Sequence, residues 1–133
     1  YIEAGVQVRA HAFLRGGVIA LKGAVLGHAC EYKNCLLMEK VETAHFNFVG
    51  DSILGIGAHL GAGAVCANLR QDKKNIRVLG YDTGLNKIGA FVGEAAEVGC
   101  NAVLNPGTIL MPRAIVMPLA CAKGLVGTGE VVK

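Results

Sequence analysis

Residues 92–120, VGEAAEVGCNAVLNPGTILMPRAIVMPLA, repeat one pattern of residue types every six positions. Each repeat begins with a branched aliphatic residue and carries a small residue four positions later. The aliphatic positions are Val92, Val98, Leu104, Leu110 and Val116, and the small ones are Ala96, Ala102, Thr108, Ala114 and Ala120. This period excludes an amphipathic helix, whose apolar stripe recurs about every 3.6 residues, and the turn signals of β-hairpins are missing. The repeat is typical of a parallel β-helix, in which each hexad forms a short strand and a corner.

The same six-residue step runs through the rest of the chain. It passes through Ile2, Val8, Leu14, Ala20, Leu26 and Tyr32 near the start, and through Phe48, Leu54 and Leu60 in the middle. Three hexads make one triangular coil, so residues about 18 apart stack at the strand spacing of about 4.8 Å. The sequence therefore predicts an all-β, single-stranded parallel β-helix that occupies residues 1–133 as one domain.

The repeat is interrupted in two places. The step from Tyr32 to Phe48 spans 16 residues, which is two fewer than a full coil and predicts a corner rebuilt around residues 38–47. Residues 69–87, LRQDKKNIRVLGYDTGLNK, are polar and carry no hexad, so they predict an extended loop. With the two-residue slip allowed for, the inward positions of one face are Leu14, Tyr32, Phe48 and Cys66.

Composition limits the classes of function. Hydrophobic residues make up 53% of the chain, and the net charge of +3 suits a small anionic substrate but is too weak and scattered for nucleic acid. No apolar run approaches the ~20 residues of a membrane-spanning helix. The five cysteines include no Cys-x-x-Cys pair, which favours reduced thiols in a cytoplasmic protein, and no metal-ligand spacing occurs. Because the chain begins at Tyr1, already inside the repeat, we expect a fragment of a longer protein.

Two cations and one histidine are candidates for a binding site. Arg15 and Lys33 are 18 residues apart, so we expect them on one face, one strand spacing apart, with Glu31 as the only acidic neighbour. Stacked cations repel each other unless an anion joins them, which indicates a phosphate site; the plainer alternative is two solvated side chains that point apart. His45 is expected at the rebuilt corner that leads into the same face, where it could act as a general base.

Three segments resemble a known family. EYKN (31–34), TAHFNFVGDSILG (43–55) and HLGAGAVCANLRQDKK (59–74) are similar to the acetyltransferase domain of the bifunctional enzymes that make UDP-N-acetylglucosamine. The resemblance covers nearly the whole chain, and the nucleotidyl-transferring domain of those enzymes is absent from it. It implies a left-handed β-helix, a cytoplasmic homotrimer, and acetylation of glucosamine-1-phosphate with acetyl-CoA as co-substrate.

The resemblance also implies roles for single residues. The family's catalytic histidine falls on His45, and an asparagine that lies near the acetyl-CoA thioester falls on Asn68. The substrate-binding positions fall on Arg15, on Lys33, on Phe48 where the family has tyrosine, and on His59 where it has asparagine. Other cofactor-binding positions fall on Lys74, on Cys100 in place of a serine, and on Pro118 in place of an alanine.

These roles imply a direct transfer of the acetyl group to an amine. His45 would remove the proton of the amine, Glu31 would orient the imidazole, and Asn68 or backbone N–H groups would stabilise the oxyanion. Two alternatives stay open. The chain could be the mainly trimerising or regulatory β-helix of a sugar-phosphate nucleotidyltransferase, or a non-catalytic assembly module that binds no acetyl-CoA.

Overall fold

Short parallel strands stack into three flat faces that wind around one long core. The computed structural model describes residues 1–133 and consists of β-strands, turns and irregular segments. With no helix present, the chain offers none that could cross a membrane.

Each face is one parallel sheet whose strands come from successive coils. Face I contains β1 (Gln7–Val8), β4 (Val25–His28), β7 (Glu42–His45), β10 (His59–Leu60), β15 (Glu97–Val98), β18 (Ile115–Val116) and β21 (Val131–Val132). Face II contains β2 (Phe13–Leu14), β5 (Glu31–Lys33), β8 (Phe48–Gly50), β11 (Val65–Cys66), β16 (Val103–Leu104) and β19 (Cys121–Ala122). Face III contains β3 (Val18–Ala20), β6 (Cys35–Leu37), β9 (Ile53–Leu54), β14 (Phe91–Val92), β17 (Ile109–Leu110) and β20 (Leu125–Val126).

The chain visits faces I, II and III in turn, which makes a β-helix of about seven coils. The parallel β-helix predicted from the hexads is therefore confirmed, and the architecture matches the left-handed coil that the resemblance implies. Inside the coil, the aliphatic and small residues of each hexad stack into one cluster of 27 buried residues. Alanine and cysteine occupy the narrow corners of this core, because larger side chains would not fit between adjacent faces.

The departures from the six-residue step all occur at the corner between faces II and III, called here corner II–III. The step between inward residues there is five residues from Tyr32 to Leu37 and five from Val49 to Leu54. The prediction of one rebuilt corner around residues 38–47 is therefore wrong, because one residue is lost in each of two coils.

This difference changes which residue of β8 faces the core. Tyr32 pairs with Val49, and Val49 with Cys66, so Val49 is the buried member of the stack. Phe48 is half-buried on the outer surface of face II, opposite to its predicted inward position. A shift of one residue moves a side chain to the other side of a strand, since side chains alternate along it.

The extended loop predicted for residues 69–87 is confirmed. An antiparallel bridge between Leu69 and Lys87 closes it, and it contains the hairpin of β12 (Arg77–Val78) and β13 (Tyr81–Asp82). Ile76 is buried and lies over Gly107, where a Cβ atom would come within 3.0 Å of its side chain. The loop is thus packed onto the coil by an apolar contact.

One buried tyrosine ties faces I and II together. The Tyr32 hydroxyl accepts a hydrogen bond from the Gly27 N–H at 2.9 Å and lies 2.7 Å from the Thr43 hydroxyl. Because Thr43 donates its own proton to the Val25 carbonyl at 2.9 Å, Tyr32 is the donor to Thr43. The substitution Tyr32→Phe would leave a buried N–H of Gly27 without a partner.

We expect Tyr32→Phe to lower the free energy of unfolding by about 1–3 kcal/mol, the cost of an unsatisfied buried polar group. Denaturant unfolding at fixed protein concentration measures this difference. The matched control is Tyr81→Phe, which removes a hydroxyl from a side chain that is 78% exposed and should change stability by at most about 0.5 kcal/mol. Equal stabilities of the two variants would contradict the proposed role of the Tyr32 hydroxyl.

Candidate active site

Four polar side chains meet at corner II–III, and they are called here the corner network: Lys33, Asn34, Asp51 and Asn68. The Asp51 carboxylate accepts hydrogen bonds from Lys33 Nζ at 3.0 and 3.3 Å, from Asn34 Nδ2 at 3.1 Å and from Asn68 Nδ2 at 2.5 Å. The Lys33 and Asp51 side chains are 21% and 15% exposed, so the network is only partly open to solvent.

The corner network keeps Asp51 ionised. Burial alone would raise the pKa of this carboxyl, but the hydrogen bonds from Lys33, Asn68 and Asn34 outweigh burial and lower it below the usual range. Asp51 is therefore a fixed negative charge at neutral pH.

Arg15 and Lys33 lie side by side on face II, as their spacing predicts. Arg15 follows Leu14, which pairs with Tyr32, so the two cations occupy neighbouring coils. Each cation has its own carboxylate, since Arg15 Nη1 donates to Glu31 at 2.9 Å and Lys33 pairs with Asp51. Glu31 therefore binds Arg15 and does not orient His45, because it stands in the strand beside Arg15 on face II while His45 lies at a corner.

Asp51 is the residue that the sequence reasoning overlooked. It lies 18 residues after Lys33, so the same spacing argument that joined Arg15 to Lys33 could have placed it next to Lys33. The pairing follows from the coil, since Asp51 N–H donates to the Lys33 carbonyl at 2.8 Å. The cations are thus balanced by two carboxylates instead of one.

Phe48 contributes an aromatic surface next to the corner network. A Cβ atom on Gly50 would lie 2.6 Å from the Phe48 ring and 2.7 Å from Asn68 Nδ2. The ring and the amide therefore both lie over Gly50, and the absence of a side chain there lets them approach. The structure thus brings together three of the predicted site residues, which are Lys33, Phe48 and Asn68.

His45 lies across face II from this network, at the corner between faces I and II, called here corner I–II. It ends β7, its side chain is exposed, and its N–H donates to Asn47 Oδ1 at 3.3 Å. Its ring lies 6.3 Å from that of Phe46, centroid to centroid, and Phe46 in turn lies edge-on to His28 at 5.5 Å. The corner itself has the regular six-residue step from Thr43 to Val49, so His45 does not mark a break in the repeat.

Cys100 and Pro118 lie in the same column of corner I–II as His45. The backbone ladder of this corner runs from Gly63 N–H to the His45 carbonyl, from Asn101 N–H to the Ala62 carbonyl and from Leu119 N–H to the Cys100 carbonyl. Cys100 and Pro118 are both exposed on later coils of the column.

The two other predicted residues lie elsewhere. His59 stands on the outer surface of face I, where its Nδ1 is 2.7 Å from Glu97 Oε2. Lys74 is exposed on the loop, beside a cleft that is also lined by Arg70, Asn75, Arg77 and Asp82. A single chain therefore does not bring His59 or Lys74 to the corner network.

Comparison with known proteins relates the chain to a bifunctional enzyme. The chain is 32% identical over 127 residues to the bifunctional sugar-1-phosphate nucleotidylyltransferase/acetyltransferase of Sulfurisphaera tokodaii. This match covers 92% of the chain and 32% of that relative, so the chain spans about a third of the relative's length. No protein-family model matches the chain.

Two solved structures share the fold. The acetyltransferase domain of PglB from Neisseria gonorrhoeae FA1090, in complex with acetyl coenzyme A, superposes with a TM-score of 0.78 at 15% identity, over 97% of this chain and 57% of that one. PerB from Caulobacter crescentus, in complex with CoA and GDP-perosamine, gives 0.72 at 17% identity, over 99% and 55%. The resemblance seen in the sequence is thereby confirmed, and the chain is a homologue of the bifunctional enzymes with the fold of β-helix acyltransferases.

Proposed function

We propose that this homologue of the bifunctional nucleotidylyltransferase/acetyltransferases is an acetyl-CoA-dependent N-acetyltransferase for an amino-sugar phosphate of the glucosamine-1-phosphate type. The observation that carries the proposal is the arrangement of face II. Its cationic edge holds Arg15 and Lys33, and its other edge leads to the exposed His45. A three-residue strand such as β5 spans about 10 Å, a distance comparable to a hexose phosphate.

The cationic edge can take a phosphate although both cations already have partners. Arg15 uses one N–H of its guanidinium on Glu31 and is 46% exposed, which leaves other donors for an anion. Lys33 Nζ donates only to Asp51, so the third proton of the ammonium is available. With the phosphate at this edge, the sugar ring would lie over Phe48 and extend toward His45.

His45 is the proposed general base. The amine nitrogen forms a bond to the thioester carbonyl carbon, His45 accepts the proton that the nitrogen loses, and the carbonyl oxygen becomes an oxyanion. Collapse of this intermediate breaks the carbon–sulfur bond and releases the coenzyme as its thiol, once the sulfur is protonated. An imidazole suits this task because it titrates near neutral pH.

Corner I–II is the proposed place of the cofactor. Cys100 and Pro118 continue the column of His45 along the coil, so a cofactor that lies along the corner would present its thioester next to His45. Pro118 has no N–H and would give only an apolar contact there. Lys74 and Asn68 are the other proposed cofactor contacts.

We also propose a homotrimer, because the outer surface of face III is apolar along its length. Its outward residues, called here the apolar stripe, pair with one another in successive coils: Ile19, Leu36, Ile53, Phe91, Ile109 and Leu125. Faces I and II instead carry charged residues at equivalent positions, among them Glu42, Glu97 and Glu31. An apolar stripe of this length favours burial against other copies of the chain.

We expect Ile109→Lys to break the trimer, because it places a charge in the middle of the apolar stripe. Light scattering at micromolar concentration should give a mass below that of three chains. The matched control is Ile115→Lys, which changes the same residue type one hexad later, on face I, and should keep the trimer. A wild-type chain that is a monomer in this measurement would contradict the proposal.

We expect His45→Ala to lose about 10²–10⁴-fold in the rate of acetyl transfer, the usual contribution of a general base. Trimer assembly should survive, since the side chain is exposed. Thiol release from acetyl-CoA measures the rate. Near-normal turnover would show that the base is another residue, and His59 would be the next to test.

We expect Arg15→Ala and Lys33→Ala each to weaken the use of glucosamine-1-phosphate by roughly 10- to 100-fold, because each removes a charge-assisted hydrogen bond worth about 1.5–3 kcal/mol. The KM for acetyl-CoA should hardly change. Glucosamine without phosphate serves as the control substrate and should be poor, yet nearly insensitive to both substitutions. Equal losses on both sugars would mean that the cations shape the site without binding the phosphate.

A further inference from the structure

Asp51 is the centre of the corner network, and its role goes beyond a single ion pair. Its carboxylate accepts from Lys33, Asn34 and Asn68, which come from three successive coils. Two of these donors are residues proposed above to bind the phosphate or to lie near the thioester. No other carboxylate of the chain accepts hydrogen bonds from three side chains.

The shortened corner creates this arrangement. Where the step is five residues, Asn34 and Asp51 become the corner residues of their coils and adopt left-handed backbone conformations, with φ of 46° and 48°. Asparagine and aspartate tolerate this conformation better than other residues with side chains. Without the lost residues, the corner would be one residue longer and the two side chains would not stack.

Asp51 also lies at the base of the loop. Its carbonyl accepts a hydrogen bond from Gly89 N–H at 2.7 Å, and the Asn68 carbonyl accepts one from Ile88 N–H at 3.1 Å. A Cβ on Gly89 would lie 2.0 Å from the Gly50 carbonyl oxygen, so the chain returning from the loop is pressed against the segment that carries Asp51. Side chain and backbone of Asp51 thus connect the site to both ends of the loop.

We infer that Asp51 is a positioning residue that fixes the Lys33 ammonium and the Asn68 amide relative to each other. A carboxylate only accepts hydrogen bonds, so it holds the Nδ2 group of Asn68 toward itself and excludes the flipped amide. It thereby sets the direction of the second N–H of Asn68 and of the remaining proton of Lys33. This inference rests on the proposed function.

The substitution Asp51→Asn tests it with least disturbance of the backbone, because asparagine fits the left-handed conformation. An asparagine cannot accept from three donors, since its own NH₂ group faces them. We expect kcat/KM for glucosamine-1-phosphate to fall about 10- to 100-fold, through a higher KM for the sugar phosphate and a lower kcat. The KM for acetyl-CoA should stay within about twofold.

Glu130→Gln is the matched control. Glu130 is an exposed carboxylate at the far end of the coil that accepts one hydrogen bond, from Gly127 N–H at 2.6 Å. It should keep wild-type kinetics. A loss in Glu130→Gln equal to that in Asp51→Asn would overturn the inference.

The double variant Asp51→Asn with Asn68→Asp separates positioning from simple stabilisation. It restores an amide–carboxylate hydrogen bond and leaves a carboxylate at the network, so the thermal midpoint and the KM for the sugar phosphate should recover. The kcat should stay low, because residue 68 then has no N–H to offer. Full recovery of kcat would overturn the role of Asn68 that Asp51 is inferred to support.

The outcomes for the wild type and the variant are distinguishable. If the wild type releases no thiol with any amino-sugar phosphate, the proposed function fails and the positioning role fails with it. If the wild type is active and Asp51→Asn has equal kinetics, only the inference fails. Tighter binding of the sugar phosphate by Asp51→Asn would also overturn it, because Asp51 would then be a competitor for Lys33.

Discussion

The hydrogen-bond ladder between successive coils is the constraint on which the rest of the structure depends. Each coil adds one parallel strand to each face, so every residue acquires fixed neighbours 17 or 18 positions away. The ladder gives the core its stacked aliphatic residues and gives the surface its columns of polar side chains. Arg15 with Lys33, Lys33 with Asp51, and the column of His45, Cys100 and Pro118 all follow from it.

Corner II–III is where the repeat tolerates change, and it is also where the polar network forms. The loop of residues 69–87 leaves the coil there, and the two shortened steps occur there. Corner I–II, by contrast, keeps its regular step and carries His45. The irregular corner thus provides the proposed phosphate and loop contacts, whereas the regular corner provides an exposed base and a straight path for a cofactor.

Much of this could be predicted from the sequence, because a six-residue period has one structural meaning. The coil, the loop boundaries and the stacking of Arg15 on Lys33 all follow from spacing alone. The register of β8 does not, since one slip of two residues and two slips of one residue both bring the pattern back into phase at Cys66. Phe48 and Val49 are both apolar, so hydrophobicity could not decide between them. Asp51 was missed for the same reason, because its position at the corner depends on where the residues are lost.

The most direct test of the account is the release of thiol from acetyl-CoA by the wild-type chain, with glucosamine-1-phosphate and galactosamine-1-phosphate offered separately and glucosamine as the control without phosphate. The account predicts release with at least one amino-sugar phosphate and much slower release with glucosamine, because face II binds the phosphate at one edge and presents the base at the other. No release with either sugar phosphate, from a chain that is folded and assembled, would contradict it and favour a β-helix that serves only for assembly.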